Sequence, residues 1–157
     1  MYLIIDTCCL AQVFDPKNQQ HLHFAPVLKW VAFGKGRMVY GGTKYNNELR
    51  QAPKFLRIVV ELERARRAIK IPKDKVDPIA AQLKKQVDRP DFNDEHLLAL
   101  VIASRCCVVC TNDTVAIVYL KYRELYSDYN VKRPKIYSSK RNQSLCCDRH
   151  LAQICTE

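Results

Sequence analysis

The sequence predicts an α/β fold, a three-layer α/β/α domain around a central parallel sheet. Residues 97–104, Leu-Leu-Ala-Leu-Val-Ile-Ala-Ser, are apolar nearly all round a helix, so that helix has no solvent face and belongs in the middle of a domain. Directly after it, Cys106-Cys107-Val108-Val109-Cys110-Thr111 is a short β-type run ending in Asn112-Asp113. The first residues repeat this pattern, because Met1 to Ile5 form an apolar run followed at once by Asp6-Thr7. Between these runs strand and helix signals alternate, and that order calls for parallel strands joined by right-handed crossovers.

In chain order, residues 2–5 are the first strand, and Asp6 to Leu10 leave it toward a short helix ending before Asp15-Pro16. Pro16, Asn18 and their polar neighbours make a loop. Val27, Leu28, Val31 and Ala32 have helical spacing within a segment over 24–33, stopped by Gly34 and Gly36. Arg37-Met38-Val39-Tyr40 is the second strand. A helix then starts at Thr43 as N-cap and carries Tyr45, Glu48 and Leu49 before Pro53. Residues 54–70 read as one amphipathic helix, with Phe55, Ile58, Val59, Leu62, Ala65 and Ile69 on one side and Arg57, Arg64, Arg66, Arg67 and Lys70 on the other. Residues 72–76 connect to a basic helix over 78–87, and Pro90 precedes Asp91-Phe92-Asn93-Asp94-Glu95-His96 and the apolar helix. A helix from Val115 through Leu125 and a short strand over 135–137 complete the pattern.

A chain of 157 residues suits one domain, 1–157, able to bury about two thirds of its unfolded surface. Residues 138–157 form a basic, Cys-rich C-terminal segment. There is no low-complexity tract, no internal repeat and no run long enough to span a membrane. Asp6 interrupts the apolar N-terminus, so no signal peptide is expected and the natural location is the cytoplasm. Lys and Arg number 26 against 16 Asp and Glu, a net charge of +10, which points to polyanionic partners, RNA or DNA first. The eight cysteines are expected as free thiols in that compartment, ahead of a zinc site at Cys146, Cys147, His150 and Cys155.

The chemistry concentrates in four acids. Asp6 and Asp113 follow two apolar strands, Glu48 lies one turn into the helix after another, and Asp94 opens the apolar helix. Sites in open parallel sheets form just outside the C-terminal strand ends, where all four would meet. Singly, each has an innocuous reading as a turn residue, a solvated helix acid or a helix cap. Together they repel: two carboxylates ~4 Å apart cost ~4 kcal/mol at an effective dielectric of 20. A hard divalent cation, Mg²⁺ or Mn²⁺, relieves that repulsion. Such an ion activates water against a phosphodiester, so metal-dependent phosphodiester hydrolysis is the expected reaction.

Leu3-Ile4-Ile5-Asp6-Thr7, Glu48 after the second strand, Asp91-x-x-Asp94-x-x-Leu97-Leu98-Ala99-Leu100 and Val109-Cys110-Thr111-Asn112-Asp113 resemble the successive motifs of PIN-domain nucleases, especially the toxin ribonucleases of prokaryotic toxin–antitoxin pairs. The resemblance spans roughly residues 1–137 and lies in order and spacing. It implies that Asp6, Glu48, Asp94 and Asp113 bind one or two Mg²⁺ or Mn²⁺ ions while water attacks RNA. It makes Asp91 an accessory ligand or the N-cap that presents Asp94, and has Thr7 and Thr111 supporting the adjacent acids. Cys8 stands where the family usually has Asn or Ser, which weakens one polar contact and removes no ligand. The partners it implies are RNA, an antitoxin protein and a second copy in a homodimer.

Asn112 reads as a turn residue that could also touch a metal water or the substrate. His96, two residues past Asp94, is expected to point elsewhere and to be structural. Substrate contacts are sought on the basic faces, Arg57 to Lys70 or Lys132, Arg133, Lys135, Lys140 and Arg141. Two other readings share the sequence: a structure-specific DNA nuclease with the same carboxylates, and a non-catalytic nucleic-acid-binding scaffold with no divalent-metal requirement.

Overall fold

The computed structural model describes residues 1–147, and its centre is a five-stranded sheet in which every neighbouring pair is parallel. The strands are β1 (Tyr2–Ile5), β2 (Arg37–Gly41), β3 (Ala68–Ile71), β4 (Val108–Cys110) and β5 (Lys135–Tyr137), in the order β3-β2-β1-β4-β5. The helices are α1 (Leu10–Phe14), α2 (His21–Ala32), α3 (Thr43–Arg50), α4 (Pro53–Arg64), α5 (Lys73–Gln86), α6 (Glu95–Ser104), α7 (Thr114–Leu120) and α8 (Glu124–Ser127). The fold is therefore the α/β, helix-flanked parallel sheet that the sequence predicts. The chain moves outward from β1 through β2 to β3, then returns across the sheet to β4 on the other side of β1. That reversal makes the C-terminal ends of β1 and β4 the switch point, where a crevice opens between crossovers running opposite ways.

Helix α6 is central, as its composition demands. His96 through Ile102 are all buried, and the helix packs across β1, β2 and β3 and against α5. No polar stripe separates its faces, so only a position enclosed on all sides satisfies it. On the other crossovers α1 packs with α2 and α4. A short 3-10 turn at Lys140–Cys146 closes over α2 and β5 with Leu145 buried. Among the described residues no helix is long and apolar enough to cross a membrane.

Four elements differ from the sequence expectation. The single helix over 54–70 is helix α4 followed by strand β3, because the chain closes at Arg66 in the left-handed region (φ 58°). Arg67 N donates to Leu62 O and Arg66 N to Glu63 O, the paired bonds of a Schellman ending. Ala68-Ile69-Lys70-Ile71 then pairs with β2 from Met38 to Gly41. Helix α5 begins at Lys73, so Pro78 lies inside it, where burial of Val76 and Leu83 offsets the lost hydrogen bond. The predicted helix through Leu125 is broken into α7 and α8. Gly42, not Thr43, is the N-cap of α3, and Thr43 donates through N and Oγ1 to Asp77 at 2.8 and 2.6 Å.

Arg66 carries a Cβ in a conformation that favours glycine. Arg66→Gly is expected to raise stability by about 0.5–1 kcal/mol, read as a Tm increase of about 1–4 °C. An unchanged or lower Tm would mean that the arginine side chain contributes more than its backbone strain costs.

Candidate metal centre

Each of the four acids is placed by an identifiable local device. Asp6 continues the β1–β4 ladder past the last strand residue, its N donating to Cys110 O at 2.9 Å, so it emerges at the switch point with only 5% of its surface exposed. Its Oδ2 accepts from Thr111 Oγ1 at 2.7 Å, which ties the two strand ends together and fixes the carboxylate's orientation. Tyr45 OH donates to Ile5 O at 2.6 Å and pins α3 to the end of β1. Glu48 lies one turn further along α3, and its Oε2 accepts from Thr7 Oγ1 at 2.6 Å. The turn that aims α3 this way is Gly41-Gly42, both at positive φ; a Cβ on Gly41 would meet Ile71 O at 2.2 Å. Each threonine thus donates to an acid from another part of the chain, Thr7 to Glu48 and Thr111 to Asp6, where the resemblance implied support of the adjacent acids.

Asp94 and Asp113 both precede helices but are used differently. The Asp113 Oδ1 accepts from Val115 N at 2.8 Å and Ala116 N at 3.1 Å, so it caps α7. Asp94 stands at the N-cap of α6 without using its carboxylate as a cap. It is free to face the other acids, and its carboxyl registers them. Burial, then the charges of Asp6 and Asp113, push the Asp94 carboxyl up to about 6. Losing the capping bonds in Asp113→Ala is expected to cost about 1 kcal/mol, a Tm decrease of about 2–4 °C. Asp113→Asn should retain most of that stability, since asparagine caps equally well.

Asp91 is held elsewhere. Its Oδ1 accepts from Tyr119 OH at 2.6 Å and Arg89 Nε at 3.3 Å, and the Tyr119 hydrogen bond keeps this exposed carboxyl below its ordinary range. Nor does it figure among the charges that shift Asp94. Asn112 turns its Oδ1 toward Cys9 Sγ and Cys8 Sγ, at 3.5 and 3.7 Å. Contact with Cys9, then burial and the charge of Asp6, raise the Cys8 thiol far above its ordinary range, so it stays protonated.

Two residues join the site that the sequence reading left out. His96, expected to point away, is buried with Nε2 3.5 Å from Glu48 Oε2. The first turn of α6 is preceded by a non-helical Asp94 (φ −106°, ψ 24°), which breaks the helical spacing from which that expectation came. Burial pushes Glu48 upward, but His96 and the Thr7 hydroxyl outweigh it and hold the carboxyl below its ordinary value. Lys44 donates to Asn93 O and pairs with Glu95 Oε1 at 3.2 Å, and its charge lowers both Glu48 and Asp94. Its position four residues before Glu48, on the same helix face, was the available signal.

The donor chemistry fits a hard divalent cation in kind: four carboxylates at one sheet edge, three of them electrostatically coupled. As placed, no three His, Cys, Asp or Glu side chains among the described residues stand close enough together to hold an ion. Cys8, Cys9, Cys106, Cys110, Cys146 and Cys147 are free thiols as expected, while Cys107 departs from that expectation in being disulfide-bonded. Of the alternative zinc set, His150 and Cys155 lie outside the described residues. In comparisons with protein-family models, curated proteins and solved structures, the chain has no significant match.

Proposed function

We propose that the chain is a divalent-metal-dependent endoribonuclease of the PIN type. One arrangement carries the reading: Asp6 and Asp113 follow the adjacent strands β1 and β4 at the switch point, and Asp94, free of any capping bond at the start of α6, is half-buried beside them, in keeping with a carboxyl pushed upward by burial and by their charges. Carboxylates converging on one partly buried strand end are relieved by a cation that draws them together. Asp6, Glu48, Asp94 and Asp113 would hold Mg²⁺ or Mn²⁺, which supplies a lowered water pKa and neutralisation of charge developing on the phosphodiester. The chain's own residues do the positioning. Thr111 fixes the Asp6 carboxylate, Thr7 and His96 fix Glu48, and Lys44 ties the loop before α6 to α3. The excess of 26 Lys and Arg over 16 Asp and Glu favours a polyanionic substrate.

The test is incubation of mixed single-stranded RNA and DNA with the purified chain in Mg²⁺, in Mn²⁺ and in EDTA. RNA cut only with metal supports the reading. DNA cut in its place would move it to a DNA nuclease, and binding without cleavage under every condition to a scaffold. Membership of a toxin–antitoxin pair rests on the sequence resemblance. It predicts growth arrest on induced expression, relieved by Asp6→Asn.

A further inference from the structure

At the opposite end of the sheet from the carboxylates, the N-terminal sides of β4 and β5 border a cleft of about 650 Å³. Arg105 after α6, Arg123 before α8, Lys132 and Arg133 in the loop to β5, and Lys135 at the start of that strand all line it. These five cations come from separate stretches that only the sheet brings together. All are exposed, and among the described residues none has an acid for a partner and no Asp or Glu lines the cleft. Elsewhere the cations Lys44, Lys54, Arg64 and Arg89 each pair with a carboxylate. Among the described residues the cleft thus gathers five exposed cations with no carboxylate in its lining.

We propose that this cleft binds the phosphodiester backbone of a single-stranded nucleic acid, at a site separate from the carboxylate edge. Three of the five cations are arginines, whose planar fork takes two phosphate oxygens at once. Ser127 and Asn130 add the hydroxyl and amide donors that backbone contacts use. The concave shape suits a strand rather than a flat lipid surface, and Arg133 is steadied by Nη1 donating to Lys121 O at 3.3 Å. Strand β4 is three residues long, about 10 Å, which is the span of sheet between this cleft and the carboxylate end. Binding at this cleft does not depend on whether the carboxylates cut.

The experiment is a fluorescence-anisotropy titration of a labelled single-stranded RNA of about 20 nucleotides, in EDTA, across a salt series. The full chain is compared with Arg123→Gln/Lys132→Gln/Arg133→Gln/Lys135→Gln. Removing four phosphate contacts should make the slope of log affinity against log salt shallower by about 3, and weaken low-salt binding at least about tenfold. Because the titration is run in EDTA it reads binding without cleavage, which separates failure of this site from failure of the nuclease reading. If the quadruple variant melts abnormally, Lys132→Gln/Arg133→Gln should still shift the slope by about 1.4. An unchanged slope and affinity would overturn the proposal. So would displacement of the RNA by polyglutamate or by phosphatidylserine vesicles at equal charge concentration, since the cleft would then read charge alone.

Discussion

Asp94→Asn is expected to abolish metal-dependent RNA cleavage while raising the melting temperature of the ion-free protein. The two effects have one cause. Asparagine keeps the shape of the side chain but removes the anionic ligand, and loss of a contribution of about 4 kcal/mol to the transition state slows cleavage about 10³-fold. The same substitution removes a charge that burial, Asp6 and Asp113 all oppose, shown by a carboxyl moved from 3.8 to about 6. Taken whole, that shift is worth about 3 kcal/mol at neutral pH; with the group only half-buried, about 1 kcal/mol is the realistic gain, or a Tm rise of about 2–4 °C. Single-turnover cleavage and a thermal melt in EDTA read both. Full activity in purified Asp94→Asn would sink the site, and a fall in Tm would mean that Asp94 serves the fold instead.

Divalent metal should invert the pH dependence of stability between about pH 4 and pH 6. Asp94 binds its proton more tightly folded than unfolded, so its contribution to stability is fully present below 3.8 and lost as pH rises through about 6. Glu48, held below its ordinary value, works the other way, giving stability above the usual carboxylate range that is lost as pH falls through it. With an ion present the ionised Asp94 becomes an asset. Mg²⁺ or Mn²⁺ at about 100 times its dissociation constant should raise Tm by about 5–10 °C near neutral pH and by little below about pH 5. Cleavage should fall about tenfold per unit below pH 6 for the same reason. Calorimetry with and without metal at the two pH values is the check; a pH-independent metal effect would remove Asp94 from the ligand set.

Why β3 escaped the sequence reading is instructive. Ala68-Ile69-Lys70-Ile71 is a strand because β2 stands beside it, and its apolar members also continue the helical stripe of α4. Nothing local marks the break, since the left-handed residue that ends α4 is an arginine, not the glycine that usually announces one. Similarly, Asp94 and Asp113 look alike in the chain, each an acid before an apolar helix. Their different uses, one free and one capping, follow from backbone angles that differ at the two N-caps.

The layered fold, the central place of α6 and the strand-end placement of Asp6, Glu48, Asp94 and Asp113 are legible in the chain. Apolar periodicity and strand-end acids are local signals, and they need no knowledge of what lies across the sheet. It takes the assembled fold to bring β4 back beside β1, Thr111 to Asp6 and Thr7 to Glu48, to face His96 toward Glu48 and Asp91 toward Tyr119, and to gather five cations at the far end of the sheet. Those facts are pairings between residues up to 105 positions apart, as between Asp6 and Thr111. Such pairings are fixed by how helices and strands bury their apolar faces together, which no single stretch of the chain contains.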